Sequence, residues 1–164
     1  MCPGCEEKIQ ARAIPDHFIN CPELYFEIED VKLGKTQTEQ YNLDTSKGSF
    51  QPVVYKLESS ENWFLLCPGV LEDELVLYIK HYSGEERKET FSYNLKVSNT
   101  GNTFSMSRSG VCTPFDMEIK DVRRKGFTLD ISVEVMVTIC FLPNLDNEKE
   151  YKGNIELSLF KSYP

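Results

Sequence analysis

The chain has 164 residues, a formal net charge of −8, 40% apolar and 27% charged residues. That length fits one domain plus a small appendage, and ten Phe, eight Tyr and one Trp can fill a sizeable core. The acidic balance argues against a phosphate-backbone binder, which needs clustered Lys and Arg, and it suits a basic or neutral peptide better than a nucleic acid.

At the N-terminus, Met1 is followed directly by Cys2 and Pro3, with no basic n-region and no apolar h-region, so no signal peptide is expected. No apolar run approaches the length of a membrane span, and no membrane role is expected. These features read as an intracellular protein, cytoplasmic or nuclear. Disulfides are rare there, which makes six cysteines a metal question first. Cys67, Cys112 and Cys140 are expected to be reduced.

Residues 1–22 are expected to form a separate module. They hold Cys2, Cys5, His17 and Cys21 in the pattern Cys-x2-Cys-x11-His-x3-Cys. Gly4 permits a tight knuckle from which two thiolates converge. A single helical turn would set His17 and Cys21 on one face. Three thiolates and an imidazole suit one structural zinc ion per chain, and four protein ligands leave no open position for catalysis. Ile9 and Ile14 can pack a minimal core over the site. So small a module cannot bury enough surface to fold alone, and the metal would supply the folding energy.

Residues 23–164 are expected to form a second unit dominated by period-2 alternation. Leu24–Val31 is the first strand candidate. Gly34–Gly48 is polar and reads as a long loop. Pro52–Leu57 and Asn62–Leu66 are short strands, with a turn at Pro68-Gly69. The acidic Glu72, Asp73 and Glu74 read as a solvated turn ahead of a strand built on Leu75, Leu77 and Ile79. Ser83–Thr90 is charged and could be a loop or one helical turn. Phe91, Tyr93, Leu95 and Val97 alternate with Ser92, Asn94, Lys96 and Ser98, a half-buried strand. Thr103–Met106 is a short candidate. Arg123, Arg124 and Lys125 beside Gly126 read as a turn, with a local anion contact as the alternative. Ile131, Val133, Val135, Val137, Ile139 and Phe141 define a long, central strand, and Ile155, Leu157 and Leu159 a last one. About eight strands with almost no helical pattern imply a mainly β fold, an antiparallel β-sandwich preceded by the small module.

Enzyme signatures are missing from the sequence: it has no glycine-rich phosphate loop, no Gly-x-Ser-x-Gly elbow and no His-Glu-x-x-His. With His17 on the metal, His81 is the only other histidine, and between Ile79, Lys80 and Tyr82 it reads as a surface strand residue. Cys67 and Cys112 read as small buried hydrophobes. We name no catalytic residue.

Three segments carry a resemblance. Leu75–Gly101, LVLYIKHYSGEERKETFSYNLKVSNTG, is an apolar strand, a charged connection, and an aromatic-x-Tyr-x-Leu-x-Val strand. Thr128–Cys140, TLDISVEVMVTIC, alternates Ile and Val, and Cys2–Cys21 is a zinc-finger pattern. Together they resemble the substrate-binding region of the seven-in-absentia E3 ubiquitin ligases, a zinc finger joined to a TRAF-like β-sandwich. That family carries a RING domain before this region and two fingers where this chain has one. Tyr151–Lys161 extends past the family's usual last strand. Ligase activity would therefore need a RING supplied elsewhere.

The resemblance implies a substrate-recognition module for ubiquitin-dependent degradation that binds partner proteins or peptides by strand addition and forms a homodimer. A TRAF-like signalling or scaffold adaptor, with no link to ubiquitination, is the alternative. The candidate peptide edge is Leu24–Val31, with Leu24, Phe26, Glu27, Ile28, Glu29 and Asp30 as its residues. Their carboxylates would favour peptides bearing Lys or Arg. The same segment could instead be an interior strand with no free edge.

Overall fold

The computed structural model describes residues 2, 5, 7–21, 29–44, 53–72, 74–84, 89–99, 101, 103–132 and 150–162. The fold is mainly β. After a 3-10 turn at Ala11–Ala13 and helix α1 (Ile14–Asn20), the strands are β1 (Glu29–Val31), β2 (Thr36–Asp44), β3 (Val53–Leu57), β4 (Asn62–Leu71), β5 (Glu74–Ser83), β6 (Thr90–Asn99), β7 (Ser105–Val111), β8 (Thr113–Pro114), β9 (Leu129–Ser132) and β10 (Glu150–Ser162). Helix α2 (Ile119–Arg124) lies between β8 and β9.

The strands form two sheets. One runs β1-β3-β4-β5-β8, with β9 also paired to β5; the other runs β2-β10-β6-β7. The second sheet is antiparallel throughout, whereas the first is mixed: β1 pairs β3 and β8 pairs β5 in parallel. Ten described strands replace the expected eight or so, and the expectation of purely antiparallel sheets fails at those two short pairings.

Alternation works as the sequence predicts along β6 and β10. Phe91, Tyr93, Leu95 and Val97 are buried, as are Ile155, Leu157 and Leu159. Register sets Ile155 opposite Val97, Leu157 opposite Leu95 and Leu159 opposite Tyr93, so the same-face pairs interlock across the strands. These side chains share one cluster with Val31, Tyr55, Phe64, Leu66, Leu75, Leu77, Ile79, Leu129 and Ile131 of the first sheet.

Three expectations are corrected. Gly34–Gly48 is not a long loop, since Thr36–Asp44 is strand β2, held against β10 from Thr36 opposite Ser158 to Asp44 opposite Glu150. Its polar sequence suits an end strand, which needs no second apolar face. Pro68-Gly69 is not a turn: β4 runs through it, pairing Pro68 with Leu77 and Gly69 with Val76. β3 begins opposite Leu66, so beyond that point β4 has a described neighbour on one side only, where a missing N–H is tolerated. The reversal comes at Glu72, whose φ of 51° marks the tight connection, as the acidic cluster suggests. Finally, Arg123 and Arg124 end a helix, which stops at Gly126 with φ 73°.

The long strand expected over Ile131–Phe141 is described only to Ser132, where β9 pairs β5. Val133, Val135, Val137, Ile139, Cys140 and Phe141 lie outside the described residues.

A second apolar cluster lies on the opposite face of the first sheet. It joins Val54, Trp63, Leu65, Cys67, Val76 and Tyr78 from the strands to Phe115 and Val122, and to Cys2, Ile14, Phe18 and Cys21 of the N-terminal segment. β5 is consequently buried continuously from Leu75 to Ile79, both faces covered. The N-terminal segment is thus packed against the sheet, with Phe18 at 6.5 Å from Trp63 and edge-on to Phe115 at 5.7 Å between ring centroids.

Candidate metal centre

Local chain geometry brings the four predicted ligands together. The backbone N–H of Cys2 donates to the Glu7 carbonyl at 2.8 Å, closing a loop around Cys5. Pro15 sits in the first turn of α1, where its fixed φ suits a helix and its lost N–H costs nothing. One turn later α1 presents His17, and the N–H of Cys21 donates to the His17 carbonyl at 2.8 Å. Spacing of four then puts both side chains on the same face.

The Sγ atoms of Cys2, Cys5 and Cys21 and a ring nitrogen of His17 all lie within 4.8 Å of one another, and this group could hold a metal ion. Cys2 Sγ is 3.9 Å from Cys21 Sγ, and Cys5 Sγ is 3.4 Å from His17 Nε2. Cys2 and Cys21 are buried, at 1% and 6% exposure, while Cys5 and His17 are half-buried. The backbone N–H of Glu7 holds the Cys5 thiol below its ordinary pKa against the effect of burial, and the Cys2 and Cys21 thiols add to it. Thiolate is the ligating form, so this favours metal binding.

Sequence reasoning missed Glu7. Its Oε2 lies 3.6 Å from His17 Nδ1, the nitrogen turned away from Cys5. A carboxylate behind a ligating imidazole favours the tautomer that leaves Nε2 free for the metal. An acidic residue ten positions before a finger histidine is too common to have been singled out.

The other candidates are less gathered. Leu24, Phe26, Glu27 and Ile28 lie outside the described residues. Glu29 and Asp30 fall in β1, which ends its sheet and pairs only with β3 among the described residues; Asp30 is exposed. His81, expected at the surface, is half-buried. It stacks on Phe64 at 5.0 Å and meets Phe91 edge-on at 4.8 Å, with Nε2 at 2.8 Å from Asn62 Oδ1. Burial pushes its pKa down to about 4, so it is neutral at pH 7. Cys67 and Cys112 are buried and unpaired, and burial raises the Cys67 pKa to about 12 and that of Cys112 further, which makes both poor nucleophiles.

Arg123 meets three carboxylates of this chain. Nε donates to Asp130 Oδ2 and Nη1 to Glu72 Oε2, each at 3.1 Å, and Nη2 pairs with Glu74. Its guanidinium ties α2 to the β4–β5 hairpin and β9, so the carboxylates that Arg123 meets belong to this chain.

No helix among the described residues is long and apolar enough to cross a membrane. No family model matches the chain, and none of the curated proteins matches it.

Proposed function

We propose that residues 2–21 bind one structural zinc ion and that the chain is a peptide-recognition module of the seven-in-absentia type, selecting partners for ubiquitin-dependent degradation. The four-ligand cluster carries the metal part. With Zn–S of ~2.3 Å and Zn–N of ~2.0 Å, a zinc tetrahedron has S···S edges of ~3.8 Å and S···N edges of ~3.5 Å. The separations of 3.9 Å and 3.4 Å lie beside those values. All four positions are protein ligands, so zinc here would staple the chain and leave no site for a substrate.

Among the described residues β1 ends its sheet, and this position supports strand addition. An end strand offers backbone donors and acceptors that an extended peptide can pair with. Asp30 on that strand and the net charge of −8 favour a peptide bearing Lys or Arg.

Selection of a displayed random-peptide library on the zinc-loaded chain tests this. Extended, basic peptides should be enriched and should protect the amides of Glu29–Val31 from hydrogen exchange. Failure to enrich any sequence, or protection confined to other strands, refutes recognition at this edge. A selected partner whose ubiquitination is unchanged on loss of the chain counts against the degradation role.

A further inference from the structure

A finger appended to a β domain would be expected to fold and unfold by itself. Here its apolar residues belong to the sheet. Ile14 and Phe18, both on α1, are 2% and 4% exposed, and the partners that bury them include Trp63, Leu65 and Val54 on the outer face of β4 and β3. On the same helix, His17 is a ligand and neighbours Phe18 in sequence, and Cys21 follows its last turn. Two of the four residues that would hold the metal and the two that cover the sheet therefore share about two turns of chain.

Three further observations bear on how tightly this cover is held. The segment from Cys2 to Cys21 has too little surface of its own to stay folded without metal. Its seam with the sheet is open at a cleft lined by Ile9, Ile14, Tyr82 and Phe115, among others. Trp63 is 4% exposed, and its indole N–H is buried with no hydrogen-bond partner among the described residues. A buried, unpaired donor is a standing cost of the closed state that water would relieve on opening. By contrast the inner cluster between the sheets, with Tyr93, Leu95 and Leu157, has no member from residues 2–21.

We propose that the Cys/His segment is a metal-dependent lid: with metal bound, Ile14 and Phe18 close the outer face of the sheet over Trp63, and loss of the metal opens that face while the core between the sheets persists. This rests on the metal reading above. Metal availability is thereby converted into exposure of an apolar surface. The coupling is reciprocal, since whatever docking adds to the folded segment it also adds to metal affinity.

Trp63 is the only tryptophan and reports the opening directly. The full, zinc-loaded chain is titrated with a chelator while Trp63 emission, acrylamide quenching and amide exchange in β6 and β10 are followed. The lid predicts a red shift and easier quenching as zinc leaves, with β6 and β10 still protected. Unchanged Trp63 emission after complete zinc removal overturns it, as does a shift that occurs only together with loss of protection in β6 and β10. Phe18→Ala supplies a second arm that leaves all four ligands in place. It should weaken zinc affinity by about tenfold or more, within the usual range for coupled sites, and unchanged affinity overturns the lid. A purified chain carrying no zinc overturns the metal reading instead, a result that elemental analysis separates from the others.

Discussion

Gly110→Ala places a single methyl group where the structure has no room for it. Gly110 lies on β7 opposite Tyr93, and a Cβ there would sit 2.6 Å from both Cζ and Oη of that ring and 2.9 Å from Cε1. Tyr93 has nowhere to go. It is fully buried, and its hydroxyl donates to the Phe127 carbonyl at 2.6 Å. Overpacking of this kind costs about 1–3 kcal/mol, and a displaced hydroxyl leaves buried groups unpaired at about 1–3 kcal/mol more. Replacing glycine in a strand returns about 0.5–1 kcal/mol of backbone entropy, so the net loss should be about 2–4 kcal/mol. Urea unfolding followed by circular dichroism measures it. In the double variant with Tyr93→Leu, which removes Cζ and Oη, the cost of Gly110→Ala should largely vanish. A loss below about 0.5 kcal/mol for Gly110→Ala alone would refute the packing of Tyr93 over β7.

Three further outcomes are expected. His81 has a folded pKa of about 4 against an ordinary value of 6.5, so the unfolded chain binds its proton first as pH falls. The wild type should therefore lose stability between about pH 6.5 and 4 more steeply than His81→Gln, and matching pH profiles in urea unfolding would contradict the burial of that ring. Glu7→Gln should weaken zinc affinity by about 10–100-fold through loss of the carboxylate behind His17, as competition with a chelator would show; wild-type affinity would deny Glu7 that role. Arg123→Gln should lower the melting temperature at low salt and much less at about 1 M salt, which screens the partly exposed ion pairs with Glu72, Glu74 and Asp130. An equal loss at both salt concentrations would mean that Arg123 acts by packing alone.

Sequence reasoning reached those parts of the molecule where one local rule acts alone. Phe91 to Val97 and Ile155 to Leu159 alternate because one face of each strand is buried, and that pattern is written directly in residue type. The Cys/His cluster that could hold a metal ion was legible for a similar reason, since soft side chains at knuckle and helix spacing are a local arrangement. What escaped was set by distant contacts. Val76 and Tyr78 are buried because α1 and α2 cover the outer face, and nothing within β5 distinguishes one covered face from two. Among the described residues β2 is a polar strand at the end of its sheet, where pairing to one neighbour is enough, so hydrophobic period had nothing to detect, and of the polar end strand β7 only Ser105 and Met106 fell in an expected strand. The partial covering of His81 could not be read locally, because its partners Asn62 and Phe91 come from other strands.

Cobalt(II) reconstitution of the full chain tests the metal centre most directly. With Cys2, Cys5, His17 and Cys21 as ligands, one ion should bind per chain, giving the intense ligand-field bands of a tetrahedral site together with thiolate-to-cobalt charge transfer. Zinc should displace the cobalt, and Cys5→Ser should reduce the charge-transfer intensity. Binding well below one ion per chain, or a weak octahedral spectrum indifferent to Cys5→Ser, would contradict a Cys3His centre.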